Sequence, residues 1–328
     1  MWYYNNLIGH TKKKKIISRR GGYHGASIFT GSLTGIKTYH TNYDLPIEGI
    51  LHTEPAFYFH RADLDQTEDE YSQFCADQLE ELILKENPDT VAGFIAEPVI
   101  GNGGLVPPPQ NYWPRIRNVL EKYDVALISD EVVTGFGRLG KMFGVDYFGI
   151  EADMITVAKG ITSAYSPLSG SVLSEKISNV IRDATDKYGV WTHGSTYSAH
   201  PISCAAGVAN LNHIDNHQLI KKGKNISEYF NFKLKEKFQD HPQIGDVRGI
   251  GLLSAIELVK DKKNRKFFEK QGQLSQEIVT RMAKNGVLAR AMPAGDTIGF
   301  APAFCISNNE IDTILDVTLQ SVNEVVNN

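Results

Sequence analysis

The chain has 328 residues, of which 41% are hydrophobic and 22% charged, so it can bury a large core and form two domains. Its 34 lysines and arginines nearly balance its 38 aspartates and glutamates, and a formal net charge of −4 argues against a nucleic-acid or polyanion binder. No apolar run approaches the ~20 residues that a membrane helix needs, so we expect no membrane association.

The cysteines and histidines indicate a reducing compartment without a metal site. Cys75, Cys204 and Cys305 lie far apart, which fits no zinc motif, and their odd number fits no complete disulfide framework. The histidines show no metal-ligand spacing. The start of the chain lacks the pattern of a signal peptide. We therefore expect a cytoplasmic protein that binds no metal.

The first two thirds of the chain alternate between helix and strand patterns. Helical spacing covers Glu68–Lys85, and Pro107–Pro109 are expected to open a second helix. Short apolar, β-branched runs predict buried strands at Thr90–Glu97 and Val125–Ser129. Met154–Ala158 is predicted to be a third strand, and Ser169–Leu173 is a candidate for a fourth. This alternation predicts an α/β fold with a mostly parallel sheet that is covered by helices on both faces.

The last third has a different character. Helices are predicted at Ala205–Leu211, at Leu219–Phe238, near Leu274–Lys284 and from Asn309. Between them, a strand pair begins at Val247. We therefore predict a large domain over residues 1–215 and a smaller C-terminal α+β domain over residues 216–328.

Two further motifs are interpreted as structural. Gly135–Gly140 matches GxGxxG, but Asp130 and Glu131 separate it from the preceding strand and a poor helix pattern follows, which argues against dinucleotide binding. The basic run Lys12–Lys15, with Arg19 and Arg20, is interpreted as a solvated loop because the rest of the chain is slightly acidic.

Two predicted strands end in residues with useful chemistry. Asp130 follows Val125–Ser129, and Lys159 follows Met154–Ala158, 29 residues later. Ligands of open parallel sheets bind beyond the carboxyl ends of the strands. A carboxylate and an amine at two such ends could therefore face one pocket.

Both residues lie in longer motifs that, in this order and spacing, resemble the class III aminotransferases. The motifs are Gly22–Gly25 (GYHG), Ala96–Val99 (AEPV), Asp130–Arg138 (DEVVTGFGR), Ala158–Tyr165 (AKGITSAY) and Gly194–Pro201 (GSTYSAHP). The ω-amine:pyruvate type looks closest. The resemblance covers essentially the whole chain and implies a pyridoxal phosphate enzyme of fold type I.

The resemblance also implies roles for four residues around the cofactor. Lys159 matches the lysine that holds pyridoxal phosphate as a Schiff base, and Asp130 matches the carboxylate that pairs with the pyridine nitrogen. Val132 and Tyr23 match the residues packed on the two ring faces. These residue types suit the chemistry, because a lysine of lowered pKa can form an imine and then move a proton, while the ring takes up charge.

The resemblance also implies roles for residues further from the centre of the site, and for two of them it leaves alternatives open. Ser195 and Thr196 match the loop whose threonine binds the phosphate of the neighbouring subunit's cofactor, which implies a homodimer. Glu97 resembles a glutamate near the cofactor, with either a structural or a direct role. His24 either supports the cofactor site or simply packs.

The chain departs from the family pattern in three places. Roughly the first quarter of the family's chain, including a phosphate-binding turn, has no counterpart before Met1, so we expect an N-terminally truncated sequence. Asn102 stands where ornithine and γ-aminobutyrate members carry a glutamate that pairs with an arginine. The arginine that binds the acceptor carboxylate falls on Arg290 or, in another alignment, on Met292, and Arg290 could equally be structural.

The expected activity is transamination by a ping-pong mechanism. An amine or ω-amino acid donates its amino group through Lys159, and pyruvate or a similar 2-oxo acid accepts it. The alternatives are other pyridoxal phosphate chemistry on the same fold, such as an aminomutase or decarboxylase, or a non-catalytic truncated fragment.

Overall fold

A computed structural model of the chain describes residues 1–326 and contains one sheet of six strands. The strands are β1 (Lys15–Arg19), β2 (Ile50–Thr53), β3 (Val91–Ala96), β4 (Ala126–Asp130), β5 (Met154–Val157) and β6 (Gly170–Leu173). Their order across the sheet is β2-β1-β3-β4-β5-β6. All neighbours pair in parallel except β5 and β6, which are antiparallel. The predicted, mostly parallel sheet is confirmed.

Helices cover this sheet. They are α1 (Trp2–Leu7), α2 (Ile28–Leu33), α3 (Glu68–Glu86), α4 (Tyr112–Lys122), α5 (Gly144–Phe148), α6 (Glu175–Tyr188) and α7 (Pro201–Asn216). The largest core cluster lies between α3, α4 and the strands, where Leu79, Ile116 and Phe94 are completely buried or nearly so. A capping box of Thr67 and Glu70 starts α3. These contacts explain why β3 and β4 read as uniformly apolar runs, since both of their faces are covered.

A second sheet of four antiparallel strands follows. Its strands are β7 (Ile244–Ile250), β8 (Leu253–Leu258), β9 (Arg290–Ala291) and β10 (Thr297–Phe300), in the order β7-β8-β10-β9. Three helices pack on it: α8 (Leu219–Phe238), α9 (Gln273–Lys284) and α10 (Asn308–Val326). The strand pair and the long helices predicted for this part of the chain are present. The domain division at residues 215 and 216 stays a prediction.

Two sequence interpretations are wrong. Pro107–Pro109 do not open a helix, because α4 begins at Tyr112, and the prolines form the extended segment before it. The basic run is not a solvated loop throughout. Arg19 is 1% exposed and lies over the rings of Tyr112 and Trp113, with its guanidinium bonded to the carbonyl of Glu97. A buried arginine of this kind is stabilised by its aromatic and carbonyl partners, which the local sequence does not reveal.

Within residues 1–326, no helix is long and apolar enough to cross a membrane.

The contact between α3 and the first sheet predicts a stability difference along one helix. Leu79 is fully buried, whereas Leu84 on the same helix is 53% exposed. We expect Leu79→Ala to lower the free energy of unfolding by about 3 kcal/mol, because it removes apolar contacts and leaves a cavity. Leu84→Ala, the matched control, should change it by less than about 0.5 kcal/mol in urea denaturation. Equal effects would contradict the packing of this face.

Candidate active site

The ends of two neighbouring strands bring the central pair of residues to one edge of the first sheet. Asp130 is the last residue of β4 and pairs with Thr156 of β5. Lys159 begins a single 3-10 turn, Lys159–Ile161, two residues after β5 ends. Its φ of +42° is uncommon for a residue with a side chain, and such backbone conformations often occur at functional sites.

Asp130 is a buried carboxylate whose two oxygens have different partners. Its Oδ1 accepts a hydrogen bond from the Val132 amide at 3.1 Å, and its Oδ2 lies 2.8 Å from Nδ1 of His24. The Asp130 side chain is 7% exposed and that of His24 is 1% exposed. Since a carboxylate can only accept, His24 must carry its proton on Nδ1. His24 is therefore tied to Asp130, which supports the interpretation of this residue as part of the site.

Lys159 lies in an electrostatic environment that suits a reactive amine. Desolvation by the surrounding protein lowers the pKa of Lys159 below its ordinary value, although the charges of Asp130 and Glu97 oppose this shift. The positive charge of Arg290 lowers it further. All three predicted site residues are thus close enough to Lys159 to act on its charge.

Glu97 connects the loop after β3 with the loop after β1 through hydrogen bonds. Its Oε1 accepts from the Gly101 amide at 3.0 Å, and its Oε2 accepts from the Tyr23 amide at 3.3 Å. The residue is 3% exposed, and burial raises its pKa, opposed mainly by the charges of His24 and Arg19. Through these bonds Glu97 fixes the backbone of Tyr23, whose ring also packs edge-on against Tyr39 at 5.3 Å between centroids.

Arg290, the candidate for binding the acceptor carboxylate, contacts Asn102, which stands where the ornithine and γ-aminobutyrate members are expected to carry a glutamate. Arg290, on β9, donates from Nη2 to Oδ1 of Asn102 at 2.6 Å, and the residue is exposed. The other candidate position, Met292, is 5% exposed and belongs to an apolar cluster with Leu105. The structure therefore favours Arg290 over Met292 as the position that can contact a ligand.

Ser195 and Thr196 lie apart from this cluster. They belong to an exposed segment between α6 and α7, in which the Ser195 amide donates to Ser198 Oγ at 2.9 Å. Neither has a contact with Asp130 or Lys159 within the described residues.

Glu131 is a structural residue that the sequence did not single out. It is fully buried, and its carboxylate accepts from the amides of Gly144 and Val145, each at 2.8 Å, and from the hydroxyl of Thr134. Burial raises the pKa of Glu131, and these hydrogen bonds oppose that effect. No local pattern could have indicated this role, because the two amides lie 13 and 14 positions further along the chain.

The residues present fit pyridoxal phosphate. In a bound cofactor, the buried and oriented Asp130 carboxylate would face the ring nitrogen, and Lys159 would provide an amine of lowered pKa. Nε2 of His24 is buried and has no partner among residues 1–326, so a polar group of a ligand or a water could still bond to it. Among the same residues, no group of three or more histidines, cysteines or acidic residues could hold a metal ion.

Comparison with solved structures defines the class of protein. An omega transaminase from Pseudomonas jessenii, solved in complex with PMP, superimposes with a TM-score of 0.96 at 35% identity, over 99% of this chain and 71% of the other. The fold is therefore that of the pyridoxal phosphate-dependent transaminases of fold type I, and the cofactor is pyridoxal phosphate.

Sequence comparison then defines the family. The family model "Aminotransferase class-III" matches residues 1–322. A diaminobutyrate–2-oxoglutarate transaminase of Halomonas elongata is 48% identical, over 98% of this chain and 69% of its own length. A γ-aminobutyrate transaminase of Solanum lycopersicum is 40% identical, over 99% of this chain and 62% of its own length. The chain belongs to the class III aminotransferases, and its chemistry is pyridoxal phosphate-dependent transamination.

The environment of Lys159 predicts its reactivity without cofactor. Because only the neutral amine attacks an electrophile, acetic anhydride at pH 8 should label Lys159 faster than Lys12, although both residues are exposed. Asp130→Asn should speed the labelling further, because the Asp130 charge raises the pKa of Lys159. Mass spectrometry of tryptic peptides gives the rates. Asp77→Asn, an exposed site on α3, is the control, and slower labelling in Asp130→Asn would contradict the assigned electrostatics.

Proposed function

We propose that Lys159 and Asp130 are the catalytic pair of this transaminase, with an amine or ω-amino acid as donor and pyruvate or a similar 2-oxo acid as acceptor. The main support for the proposal is that the two residues lie at the ends of adjacent strands. Asp130 provides a buried, hydrogen-bonded carboxylate there, and Lys159 provides an amine of lowered pKa. Pyridoxal phosphate, when bound, supplies an aldehyde that condenses with amines and a ring that takes up negative charge.

Asp130 and His24 form one polar unit in this proposal. Donation from His24 Nδ1 and from the Val132 amide fixes the plane of the Asp130 carboxylate. An ionised carboxylate in a buried site favours a protonated ring nitrogen at its free lone pairs. His24 therefore acts through Asp130 as a positioning residue, while Asp130 touches the cofactor.

Lys159 both binds the cofactor and moves the substrate proton. Its lowered pKa leaves a larger fraction of neutral amine at neutral pH than an ordinary lysine has, so it can accept a proton from the substrate carbon and return it. Asp130 and Glu97 limit this lowering, which keeps the ammonium form accessible for the return step.

Tyr23 and Val132 form the walls of the ring site. The Tyr23 backbone is fixed by Glu97 and its ring by Tyr39, and Val132 is fixed because its amide bonds to Asp130. Walls that are held in this way exclude water from the ring faces and define the ring plane. Glu97 acts on the chemistry in this proposal only through its charge on Lys159, since both of its oxygens are bonded to backbone amides.

Arg290 is proposed to bind the carboxylate of the oxo acid. Guanidinium groups match carboxylates in geometry and charge, and the charge of Arg290 already reaches Lys159. Its partner Asn102 is neutral, so an incoming carboxylate competes with an amide and not with another charge. The similar proteins named above as diaminobutyrate–2-oxoglutarate and γ-aminobutyrate transaminases carry amino and oxo acids in their names, which supports carboxylate recognition.

A homodimer is proposed to complete the phosphate site. Among the described residues, the segment from Tyr165 to Val208 holds eight of the eighteen large apolar side chains that are exposed, including Val190 at 85% and Ile202 at 72%. Such concentration of apolar surface is typical of interaction sites. Ser195 and Thr196 lie within the same segment, where they would serve the cofactor of the partner subunit.

The central test replaces Lys159. With pyridoxal phosphate, an aromatic amine and pyruvate, the wild-type chain should form alanine, and Lys159→Ala should lower kcat/KM by at least about 10³-fold, because it removes both the cofactor anchor and the proton carrier. Lys12→Ala, which alters an exposed loop lysine, should keep wild-type activity. Equal activity of Lys159→Ala and the wild type would contradict the assignment.

The dimer has its own test. The chain should elute in size-exclusion chromatography at about twice its mass of 36.4 kDa. Ile202→Asp in the apolar segment should shift it to the monomer position and weaken pyridoxal phosphate binding about tenfold or more, because the partner's phosphate contacts are lost. Phe232→Asp, at a 62% exposed position on α8, should do neither. A wild-type chain that runs as a monomer at micromolar concentration rules the proposal out.

A further inference from the structure

A buried arginine from the second sheet holds the loop that carries Asn102. Arg248 on β7 is 7% exposed, and its Nε and Nη2 donate to the carbonyl oxygen of Gly104 at 3.0 and 2.8 Å. Both bonds cross from the second sheet to the loop after β3. Two donors on one carbonyl fix its position and its direction.

The loop itself is short and closed. Ile100 and Val106 pair through two backbone hydrogen bonds, and the amide of Leu105 bonds to the carbonyl of Gly101 at 2.9 Å. Glu97 holds the first half of the loop through the Gly101 amide, and Arg248 holds the second half through Gly104. Asn102 lies between these two anchors, so its position depends on both.

Arg248 is itself fixed by two acidic partners, of which Glu257 is fully buried and Asp246 is partly exposed. Its Nη1 donates to Glu257 Oε2 at 2.8 Å and to Asp246 Oδ2 at 2.6 Å, and its guanidinium lies 4.8 Å from the centre of the Phe57 ring. Glu257 is fully buried on β8 and also bonds to His60. Burial opposes ionisation of Glu257, but the bond from His60 and the charge of Arg248 outweigh it and lower its pKa. The carboxylate therefore stays charged and keeps the guanidinium in one orientation.

We propose that Arg248 is a positioning residue for the acceptor carboxylate, acting through Gly104, Asn102 and Arg290. This proposal rests on the proposed function, in which Arg290 binds that carboxylate. Arg248 contacts neither Asp130 nor Lys159 in the described structure. Its contribution is to keep Asn102 Oδ1 at the place where it holds Arg290.

Lysine cannot replace this contact. Arg248 directs two N–H groups at Gly104 while a third bonds to the acidic pair, and a single ammonium cannot reproduce that planar arrangement. Arg248→Lys keeps the positive charge beside Glu257 and so avoids an unpaired buried carboxylate. This variant therefore removes the contact that positions the loop without the destabilisation that an unpaired buried carboxylate would cause.

The kinetic test uses the separation of half-reactions in a ping-pong enzyme. The donor is an aromatic amine without a carboxyl group, and the acceptor is pyruvate. We expect Arg248→Lys to lower kcat/KM for pyruvate about tenfold and to leave kcat/KM for the amine within about twofold, because only pyruvate needs the carboxylate site. An equal fall in both values would overturn the proposal, since it would indicate a general structural effect.

A double-mutant cycle then tests the route of the effect. If Arg248 acts through Arg290, Arg248→Lys should cause no further fall in kcat/KM for pyruvate once Arg290→Ala is present. A full, additive fall would overturn the proposal. If Arg290→Ala alone leaves this value unchanged, the assignment of Arg290 in the proposed function fails. If Arg290→Ala lowers it and Arg248→Lys does not, only the role of Arg248 fails.

Hydrogen exchange gives a readout that needs no catalysis. Amides in residues 100–106 should exchange at least about threefold faster in Arg248→Lys, because one anchor of the loop is weakened. The matched control is Arg265→Lys. Arg265 also bonds from the C-terminal part of the chain to a backbone carbonyl, that of Phe59, but it does not touch the loop. Unchanged exchange in Arg248→Lys, or an equal change in Arg265→Lys, would overturn the proposal.

Discussion

The site depends on one buried carboxylate, that of Asp130, at the end of a strand. Removing an ionised carboxylate from water is costly unless donors replace the lost hydration. Here the Val132 amide and His24 Nδ1 supply two such donors, and the positive charge of Lys159 lies within electrostatic range. Each of these groups is fixed by a different part of the first sheet: Val132 by the loop after β4, His24 by the loop after β1, and Lys159 by the turn after β5. The parallel arrangement matters because it brings these three ends to one edge.

The Asp130 carboxylate also limits how far the pKa of Lys159 is lowered. Desolvation alone would favour the neutral amine, and the charges of Asp130 and Glu97 pull in the opposite direction. A group that must accept a proton and then return it needs this balance. A strongly shifted pKa would leave almost only one of its two protonation states populated. Glu97 contributes only as a distant charge, because its oxygens bond to the amides of Gly101 and Tyr23.

Features of the structure that depend on residues close together in the sequence were predictable, and those that depend on distant residues were not. The strands around Asp130 and Lys159 were predictable because buried parallel strands are short apolar runs, and the long helix α8 because its pattern repeats every turn. The motifs also indicated Asp130, Lys159 and Tyr23 through family resemblance. The burial of Arg19 was not predictable, because its aromatic and carbonyl partners lie about 80 to 95 residues away in the chain. The start of α4 was predicted too early because a proline run is compatible with both a first helical turn and an extended lead-in.

The proposed role of Arg248 was likewise not predictable from the sequence. In sequence it is one of 34 basic residues, within a glycine-rich strand pair that carries no catalytic signal. Only the fold shows that it bonds to Gly104, 144 positions earlier, and that it is charge-paired with a buried glutamate from the neighbouring strand. Glu97 and Arg248 hold opposite ends of one short loop, the first from the sheet that carries Asp130 and the second from the sheet that carries Arg290. Asn102 lies on the loop that both sheets hold, so the geometry between the ring site and the carboxylate site is set by how these two anchors are spaced.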